Sequence, residues 1–448
     1  MRNHLDPKLT RRRFIQLGSG MLGALAGSAV LPGALLKPES VSSGVQAAAP
    51  IRKGGPAPAQ QDIPFDRHLV ATDGWIYLPG EVAPYQPDDI GEDISGGLQN
   101  CYIFGFRDAT HYDQTMLTDL KMHAQLAAPI MWTDEVPMDA PIEQGFTVKL
   151  TNLGLQVRPD LIDAHTVHFH GFRNALPIFD GEPHSSVGVP IIRNLTYFYR
   201  PHDPGTYKYH CHFEETEHVH MGMIGMVFVR PQFEKTYPGR KFAYNHLSTE
   251  FDREFVIVMN EVWAVAHWCD SHIQLPEWTD YKPEYFLMNG RVYPDTIKPN
   301  GFYDSNFDLA TEAGNENLKY QPVSSLIKVN GGDRVLLRIS NIGFLEQSLA
   351  ITCGEMRVVG RDATLLLSKG GVDTSYSANV INCHTGETFD AIFEAPAHKG
   401  TAEFDRYLLY NTNPARITNP GSSGYGGQMT EIHVYPADTL APQTEPNT

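Results

Sequence analysis

Two short segments of the chain gather histidine, cysteine and methionine at spacings that suit metal binding. The first, residues 165–171, holds three histidines, and the second, residues 209–223, holds four histidines, one cysteine and two methionines. Imidazole, thiolate and thioether groups together form a mixed soft and borderline donor set that suits both Cu(I) and Cu(II). The two segments therefore predict a copper site.

The period of two along a β-strand decides which of these side chains share a face. On strands, His168 and His170 point the same way, as do His210 and His212, whereas Cys211 must point to the opposite face. One strand would then serve two metal sites, with a thiolate on one side and imidazoles on the other.

The thiolate side has the composition of a blue, or type 1, copper centre, which uses one thiolate, two imidazoles and a weak axial thioether. The five-residue step from His218 to Met223 lets a turning loop bring the thioether to the metal. His220 could replace His218 as a ligand, but the step to Met223 and the Gly222 before it favour His218. The predicted type 1 ligands are His165, Cys211, His218 and Met223.

Short strands separated by Pro and Gly turns must position these ligands. Residues 146–152 alternate apolar and polar, and similar strands recur at 196–199, 205–209 and 226–229. This pattern is typical of a β-sandwich rather than an α/β fold. A second block repeats the order of these features, and its residues 335–341 correspond to residues 146–152 of the first block. We therefore predict an all-β chain built by internal duplication of one β-sandwich.

The second block has lost the metal-binding residues. When Gly171 is aligned with Gly354 and Tyr209 with Tyr410, no ligand position keeps its ligand type. The second sandwich is therefore expected to be structural or to form an oligomer contact. The residues at the ligand positions are Ser348, Ile351, Cys353, Asn411, Thr412 and Asn413.

The two histidine segments, with the step from His218 to Met223, resemble the copper-binding pattern of multicopper oxidases. The first block is most similar to the last domain of ceruloplasmin, and Asp180-Gly181 and residues 204–207 stand where that family has Asp-Gly and Gly-Thr-Tyr stretches. The resemblance is strong over residues 125–232 and is one of fold only in the second block. It implies two tandem cupredoxin-like Greek-key β-sandwiches. It also implies that His168 binds type 2 copper and that a type 3 pair is bound by His170, His210 and His212.

One set of histidines is only half of what that resemblance requires, because a trinuclear cluster in this family takes four histidines from each of two domains. The first domains of two subunits could meet about a dyad and close one cluster. Alternatively, only a smaller site forms.

The smaller site is the one found in copper nitrite reductases, where a third histidine comes across a trimer interface. His170 and His210 match two type 2 ligands of those enzymes, and the loop between Cys211 and His218 leans toward their longer loop. However, His168 replaces the Asp that handles protons in that family. No donor histidine is apparent in the second block, where three histidines match no ligand motif: His384, His398 and His433.

The resemblance implies a copper-dependent oxidoreductase that takes single electrons at the type 1 copper from a small reductant or a redox protein. A second copper site, completed in a homo-oligomer, would reduce dioxygen. The alternatives are a nitrite reductase-like enzyme and a blue-copper electron carrier. A carrier has no use for four further histidines in two ordered pairs, which argues against the last of these.

The length, the net charge and the N-terminal residues limit the number of domains, the partners and the location that we expect. The 448 residues suggest two or three domains, and a net charge of -17 disfavours nucleic acid as a partner. Residues 10–16, followed by a short apolar run at 17–31, resemble a twin-arginine export signal and imply a periplasmic or extracellular protein. The predicted divisions are a signal peptide at 1–49, an arm with the first strands at 50–124, a copper-binding domain at 125–235 and a second domain at 250–437.

Export would place the chain where disulfides persist. Beyond Cys211, the chain holds Cys101, Cys269, Cys353 and Cys383, which allow three pairings. Cys353 and Cys383 share a domain and are the first pair to test.

Overall fold

The structure is a computed structural model that describes residues 65–80, 100–127, 129–173, 175–300 and 316–448. The predicted export signal at 1–49 lies outside these residues. Among the helices described, none combines the length and the apolar character that crossing a membrane requires.

Two four-stranded sheets form the first sandwich, one in the order β2-β1-β4-β6 and the other in the order β3-β8-β7-β5. Aromatic and aliphatic side chains such as Leu150, Tyr197, Tyr209 and Val227 fill the space between the sheets. The strands are β1 (Arg67–Ile76), β2 (Cys101–Asp108), β3 (Ile130–Asp134), β4 (Phe146–Gly154), β5 (His168–Phe169), β6 (Asn194–Tyr199), β7 (Gly205–His210) and β8 (Ile224–Arg230).

A short helix, α1 (Glu215–Met221), connects β7 to β8. It is preceded by Glu214 at φ 45° and followed by Gly222 at φ 119°, both in the left-handed region. A Cβ at position 222 would lie 2.8 Å from the carbonyl oxygen of Phe104. Glycine is therefore needed where the chain turns from α1 into β8.

The second sandwich follows the helix α2 (Phe233–Thr236) and the small β9-β10 ribbon, and it contains the helix α3 (Ala264–Ser271). One sheet has the order β12-β11-β14-β20-β16-β17, with β18 on β16, and the other has the order β13-β22-β21-β15-β19. The strands are β9 (Lys241–Phe242), β10 (Glu250–Phe251), β11 (Arg253–Val262), β12 (Tyr285–Met288), β13 (Ile327–Asn330), β14 (Arg334–Asn341), β15 (Gln347–Ile351), β16 (Met356–Arg361), β17 (Thr364–Leu365), β18 (Tyr376–Ala378), β19 (Val380–Cys383), β20 (Thr388–Glu394), β21 (Asp405–Asn411) and β22 (Met429–Tyr435).

The described residues also include short 3₁₀ turns. They are Leu117–Leu120, Pro177–Phe179, Leu247–Thr249, Trp278–Asp280, Asp295–Ile297, Glu316–Leu318 and Pro414–Arg416.

The pairing of strands confirms the predicted all-β fold of two tandem, duplicated sandwiches. In the first sandwich β1 pairs parallel with β4 and β3 parallel with β8. In the second, β11 pairs parallel with β14 and β13 parallel with β22. The antiparallel neighbours correspond as well, since β7 joins β8 to β5 and β21 joins β22 to β15.

The register corrects the alignment of the two blocks on Gly171 and Gly354. His168 of β5 pairs with His210, whereas Leu349 of β15 pairs with Asn411, so Leu349 takes the place of His168. The alignment on the glycines was wrong by two residues, because β15 runs longer than β5 before its turn. In the corrected alignment Glu346 and Ile351 stand at the positions of His165 and His170. The conclusion that the second sandwich lacks these histidine ligands is unchanged.

No disulfide links Cys353 and Cys383, and all five cysteines are free thiols. Cys383 pairs with Gln347 at the start of β15, whereas Cys353 lies beyond the other end of that strand. The five residues of β15 alone span roughly 13 Å, and the Cα atoms of a disulfide must lie within about 7 Å. This pairing is therefore excluded by geometry.

A buried ionic network joins the two sandwiches. Arg338 of β14 is fully buried and lies 2.9 Å from Glu254 and 3.4 Å from Asp390. The same guanidinium reaches the hydroxyl of Thr206 on β7, which donates to Asp390. Because Thr206 belongs to the first sandwich and the others to the second, this network holds β7 against the neighbouring sandwich.

Candidate metal centre

Three buried donor groups converge at one end of the first sandwich. The Sγ atom of Cys211 lies 3.4 Å from Nδ1 of His218 and 3.8 Å from Nδ1 of His165. These atoms all lie within 4.8 Å of one another, and the three side chains are at most 1% exposed. They come from three different segments: the loop before β5, the residue after β7, and α1. A thiol and two imidazole nitrogens in this arrangement suit one small soft or borderline cation.

The backbone of Met223 lies between two of these donors. Its amide donates to the carbonyl of His218 at 2.9 Å, and its carbonyl accepts from the amide of Cys211 at 3.1 Å. The side chain is fully buried in the core that also contains Cys211. The loop thus brings the backbone of Met223 next to Cys211 and His218, and the role of its thioether as a ligand stays a prediction.

Two neighbouring residues contact the thiol and imidazole donors. The amide of Thr166 donates to the Sγ of Cys211 at 3.4 Å. Asp163 lies 3.5 Å from Nε2 of His218, so the other ring nitrogen, Nδ1, faces the thiol. Partners of this kind orient ligands and tune the metal they hold.

The protonation of the two imidazoles reflects this environment. Burial, followed by the nearby His218, lowers the pKa of His165 well below its usual value. Burial also disfavours the charge on His218, but the neighbouring Cys211 and Asp163 outweigh it and raise the pKa of His218 to about 10. The site therefore stabilises a positive charge between His218 and Cys211, where a bound cation would replace the proton.

Four imidazoles gather on the opposite face of the same strand. Nε2 of His170 lies 2.7 Å from Nε2 of His210. The ring of His168 lies 5.1 Å from that of His170 and 5.0 Å from that of His212. The nitrogens of His168, His170 and His210 fall within 4.8 Å of one another. This second group can hold a separate cation.

Backbone carbonyls orient the rings of this second group. Nδ1 of His168 lies 2.6 Å from the carbonyl of Asp180, and Nδ1 of His210 lies 2.7 Å from that of Cys211. Both rings can donate through Nδ1, which leaves the lone pair on Nε2 as the acceptor, and at His210 this nitrogen faces Nε2 of His170. Burial, reinforced by the positive charge of Lys208, lowers the pKa of His170 to about 2. Burial, with smaller contributions from His168 and His212, lowers the pKa of His210 to about 3. These imidazoles are neutral, which is the form that binds metals.

Thr166 connects the two sites. Its amide contacts the thiol of Cys211, and its hydroxyl oxygen accepts from the amide of His212 at 3.0 Å. His168 and His212 are the more open members of the second group, with side chains 17% and 25% exposed. The second site therefore opens toward the surface, whereas the first is enclosed.

His220, the alternative ligand, turns away from the thiol. Its ring lies 5.1 Å from His267 and 5.5 Å from Trp278, and its Nε2 accepts from the amide of Trp263 at 3.2 Å. It therefore contacts the second sandwich, and His218 is the imidazole of α1 beside Cys211.

The three histidines of the second block that match no ligand motif do not join either group. His384 is 59% exposed beside Glu346, and His433 lies 2.7 Å from Glu431 and stacks on Phe404. His398 is not part of a metal-ligating group among the described residues. These placements agree with the absence of a ligand motif around them.

Sequence reasoning did not identify Asp163 or Thr166 as supporting groups. Thr166 follows His165 directly and Asp163 precedes it by two residues, so their nearness in sequence was the available signal. The role of Asp180 is carried by its backbone carbonyl, which a side-chain motif does not reveal.

Comparisons with known proteins show similarity to multicopper oxidases. Residues 147–234 match the family model of the multicopper oxidase domain. Laccase-3 of Thanatephorus cucumeris is 23% identical over 258 residues, a region covering 56% of this chain and 38% of that laccase. The chain thus spans well under half of that relative.

Solved structures share the fold of both sandwiches. A blue copper oxidase from Nitrosomonas europaea is 18% identical with a TM-score of 0.52, covering 82% of this chain and 85% of its own. The multicopper oxidase mgLAC is 17% identical with a TM-score of 0.52, covering 84% and 87%. These neighbours confirm the cupredoxin-like fold. The resemblance stated from the histidine segments is likewise confirmed, because residues 147–234 match the multicopper oxidase family model, and that family implies copper.

Proposed function

We propose that this chain is a copper-dependent oxidoreductase with two copper sites in its first sandwich. The type 1 ligands would be His165, Cys211, His218 and Met223. The second site would use His168, His170, His210 and His212. The observation that carries the proposal is the placement of the Cys211 thiol and its flanking imidazoles on opposite faces of one strand end.

Bound copper would supply one-electron chemistry at the first site and the reduction of dioxygen at the second. The residues of the chain supply the rest. His165 and His218 are buried, so they hold the first site away from water and limit the rearrangement of its donors. The amide of Thr166 stabilises negative charge on the thiol. The backbone of Cys211 joins both sites covalently, so electrons need no separate relay between them.

The second site is expected to be completed by another copy of the chain. Among the residues that the structure describes, one set of histidines faces it, and His168 and His212 are partly open. The loop that presents the carbonyl of Asp180 also exposes Leu176, Ile178 and Val187, each about half exposed. An isologous contact through this apolar loop would bring two histidine sets together.

Copper counting with electron paramagnetic resonance on the purified oligomer tests this proposal. About two and a half copper ions per chain would fit a type 1 ion plus a trinuclear cluster shared by two chains. About one ion per chain would leave an electron carrier and contradict the proposed oxidase. Oxygen consumption with a phenolic dye, iron(II) or manganese(II), set against nitrite consumption, then identifies the acceptor.

A nitrite reductase-like enzyme is the second candidate. It is favoured by the three close nitrogens of His168, His170 and His210, which can hold a single ion. About two copper ions per chain together with nitrite consumption would support it over the oxidase.

The apolar loop offers a separate test of the homo-oligomer. Ile178→Asp is expected to dissociate the oligomer and to lower the copper count toward about one per chain, since a buried unpaired carboxylate opposes the contact. Leu275→Asp, at another exposed apolar position, serves as the control. Light scattering and copper analysis give the answer. An Ile178→Asp protein with unchanged mass and copper content would contradict this interface.

We also propose that the chain is exported by the twin-arginine route. The support is the sequence of residues 10–31 alone. Fractionation of cells expressing a variant with Arg11→Lys and Arg12→Lys is expected to leave the protein inside, and normal export of that variant would contradict the route.

A further inference from the structure

Neither imidazole beside Cys211 reaches the surface. His165 is 1% exposed and His218 is fully buried, so no ligand edge is available to a donor in solution. Electrons that enter the type 1 centre must therefore pass through other side chains. α1 carries His218 on one face and His220 on another, and the two are joined by only two peptide units.

His220 leads from α1 into a group of aromatic rings that we call the aromatic cluster: His220, Trp263, Trp278, Tyr281 and Phe344. The ring of His220 lies 5.5 Å from Trp278, 5.4 Å from Tyr281 and 5.7 Å from Phe344. His220 is 5% exposed, while Trp278 and Tyr281 are only half-buried. The cluster thus runs without interruption from the surface to the helix that holds His218.

Tyr281 is paired with a buried carboxylate. Its hydroxyl donates to Glu261 at 2.9 Å, and the side chain of Glu261 is 2% exposed. The amides of Phe344 and Leu345 also donate to this carboxylate. A phenol is easier to oxidise when a base accepts its proton at once, because the charged radical cation is avoided. Glu261 stands where such a base is required.

We propose that Tyr281, with Glu261 as its proton acceptor, is a redox-active side chain that relays single electrons through His220 to the type 1 centre. The proposal rests on the proposed function, because it takes copper(II) at that centre as the oxidant. In the forward step the phenol of Tyr281 gives one electron toward His220 and copper(II), and its proton moves to Glu261. An outside one-electron donor then reduces the neutral phenoxyl radical, and the proton returns from Glu261 to the phenolate oxygen.

The first test uses the metal-free protein, so that it does not depend on the copper sites. A photogenerated ruthenium(III) polypyridyl complex oxidises the protein, and electron paramagnetic resonance records the neutral tyrosyl radical. Tyr281→Phe and Glu261→Gln are both expected to remove most of the long-lived signal. Tyr376→Phe, at a half-exposed tyrosine elsewhere, should retain it. Thermal unfolding of each variant shows whether the fold is kept.

The second test uses the copper-loaded protein mixed with hydroquinone in a stopped-flow instrument. Tyr281→Phe should keep the blue band and copper content, while bleaching of that band slows about tenfold or more, as a modest rise in the barrier would produce. Tyr376→Phe should bleach at the normal rate. A wild-type radical yield or a wild-type bleaching rate in Tyr281→Phe overturns the relay. A wild-type protein without a blue band would instead contradict the proposed function, and the radical measurement would remain valid.

Discussion

A Cys211→Ser variant is expected to lose its blue colour completely and to bind about one copper ion fewer per chain. The thiolate is the donor that gives a type 1 centre its colour and its tolerance of both oxidation states. A serine hydroxyl at the same position would have to ionise to replace it, and its oxygen is too hard a donor for Cu(I). Visible absorption and copper analysis of the purified variant measure the effect.

Cys383→Ser provides the matched control. Cys383 is also a fully buried thiol, but it lies on β19 in the second sandwich. This variant is expected to keep the full blue absorbance. If Cys211→Ser remained blue, or if both variants lost the colour to the same degree, the assignment of the type 1 site to Cys211 would be wrong.

An Arg338→Ala variant is expected to lower the free energy of unfolding by about 3–5 kcal/mol, the cost typical of removing one partner from a buried ion pair. The substitution leaves the carboxylates of Glu254 and Asp390 buried without their shared cation. It also removes the guanidinium that contacts Thr206 across the two sandwiches. Chemical denaturation, followed by fluorescence, measures the change.

An ion pair at the surface gives the comparison for this effect. Lys235 lies 3.6 Å from Asp134, and the two side chains are 61% and 64% exposed. Lys235→Ala should therefore cost no more than about 1 kcal/mol. The buried network would not hold the sandwiches together if both variants lost the same free energy of unfolding. The same conclusion would follow if Arg338→Ala lost less than about 1 kcal/mol.

The fold and the grouping of donors were accessible from the sequence because both follow from short-range periodicity. Alternation at 146–152 indicates a half-buried strand, and period two separates Cys211 from His210 and His212. The order of features along the chain was enough to reveal the duplication. The strand pattern and the separation of Cys211 from its neighbours depend on adjacent residues alone, whereas the duplication depends on the order of such local patterns.

What the sequence did not determine depends on long-range register. The alignment on Gly171 and Gly354 was wrong by two residues, because a glycine marks the end of a strand without telling its length. Cys353 and Cys383 share a sandwich, but they lie at opposite ends of β15. The contacts of His220 with Trp278 and Tyr281 join residues about sixty positions apart, for which no local pattern exists.

The ladder between β7 and β8 has an importance beyond holding the first sandwich together. Tyr209 opposes Gly225 and His210 opposes Ile224, while the hydroxyl of Tyr209 is anchored 2.6 Å from the carbonyl of Pro129. A slip of this pairing by one position would turn every side chain to the other surface of the sheet. It would carry the sulfur of Cys211 in among the imidazoles and bury His210 and His212 in the hydrocarbon interior. The main-chain hydrogen bonds between β7 and β8 therefore fix which face of the sheet carries the thiol and which carries the imidazoles.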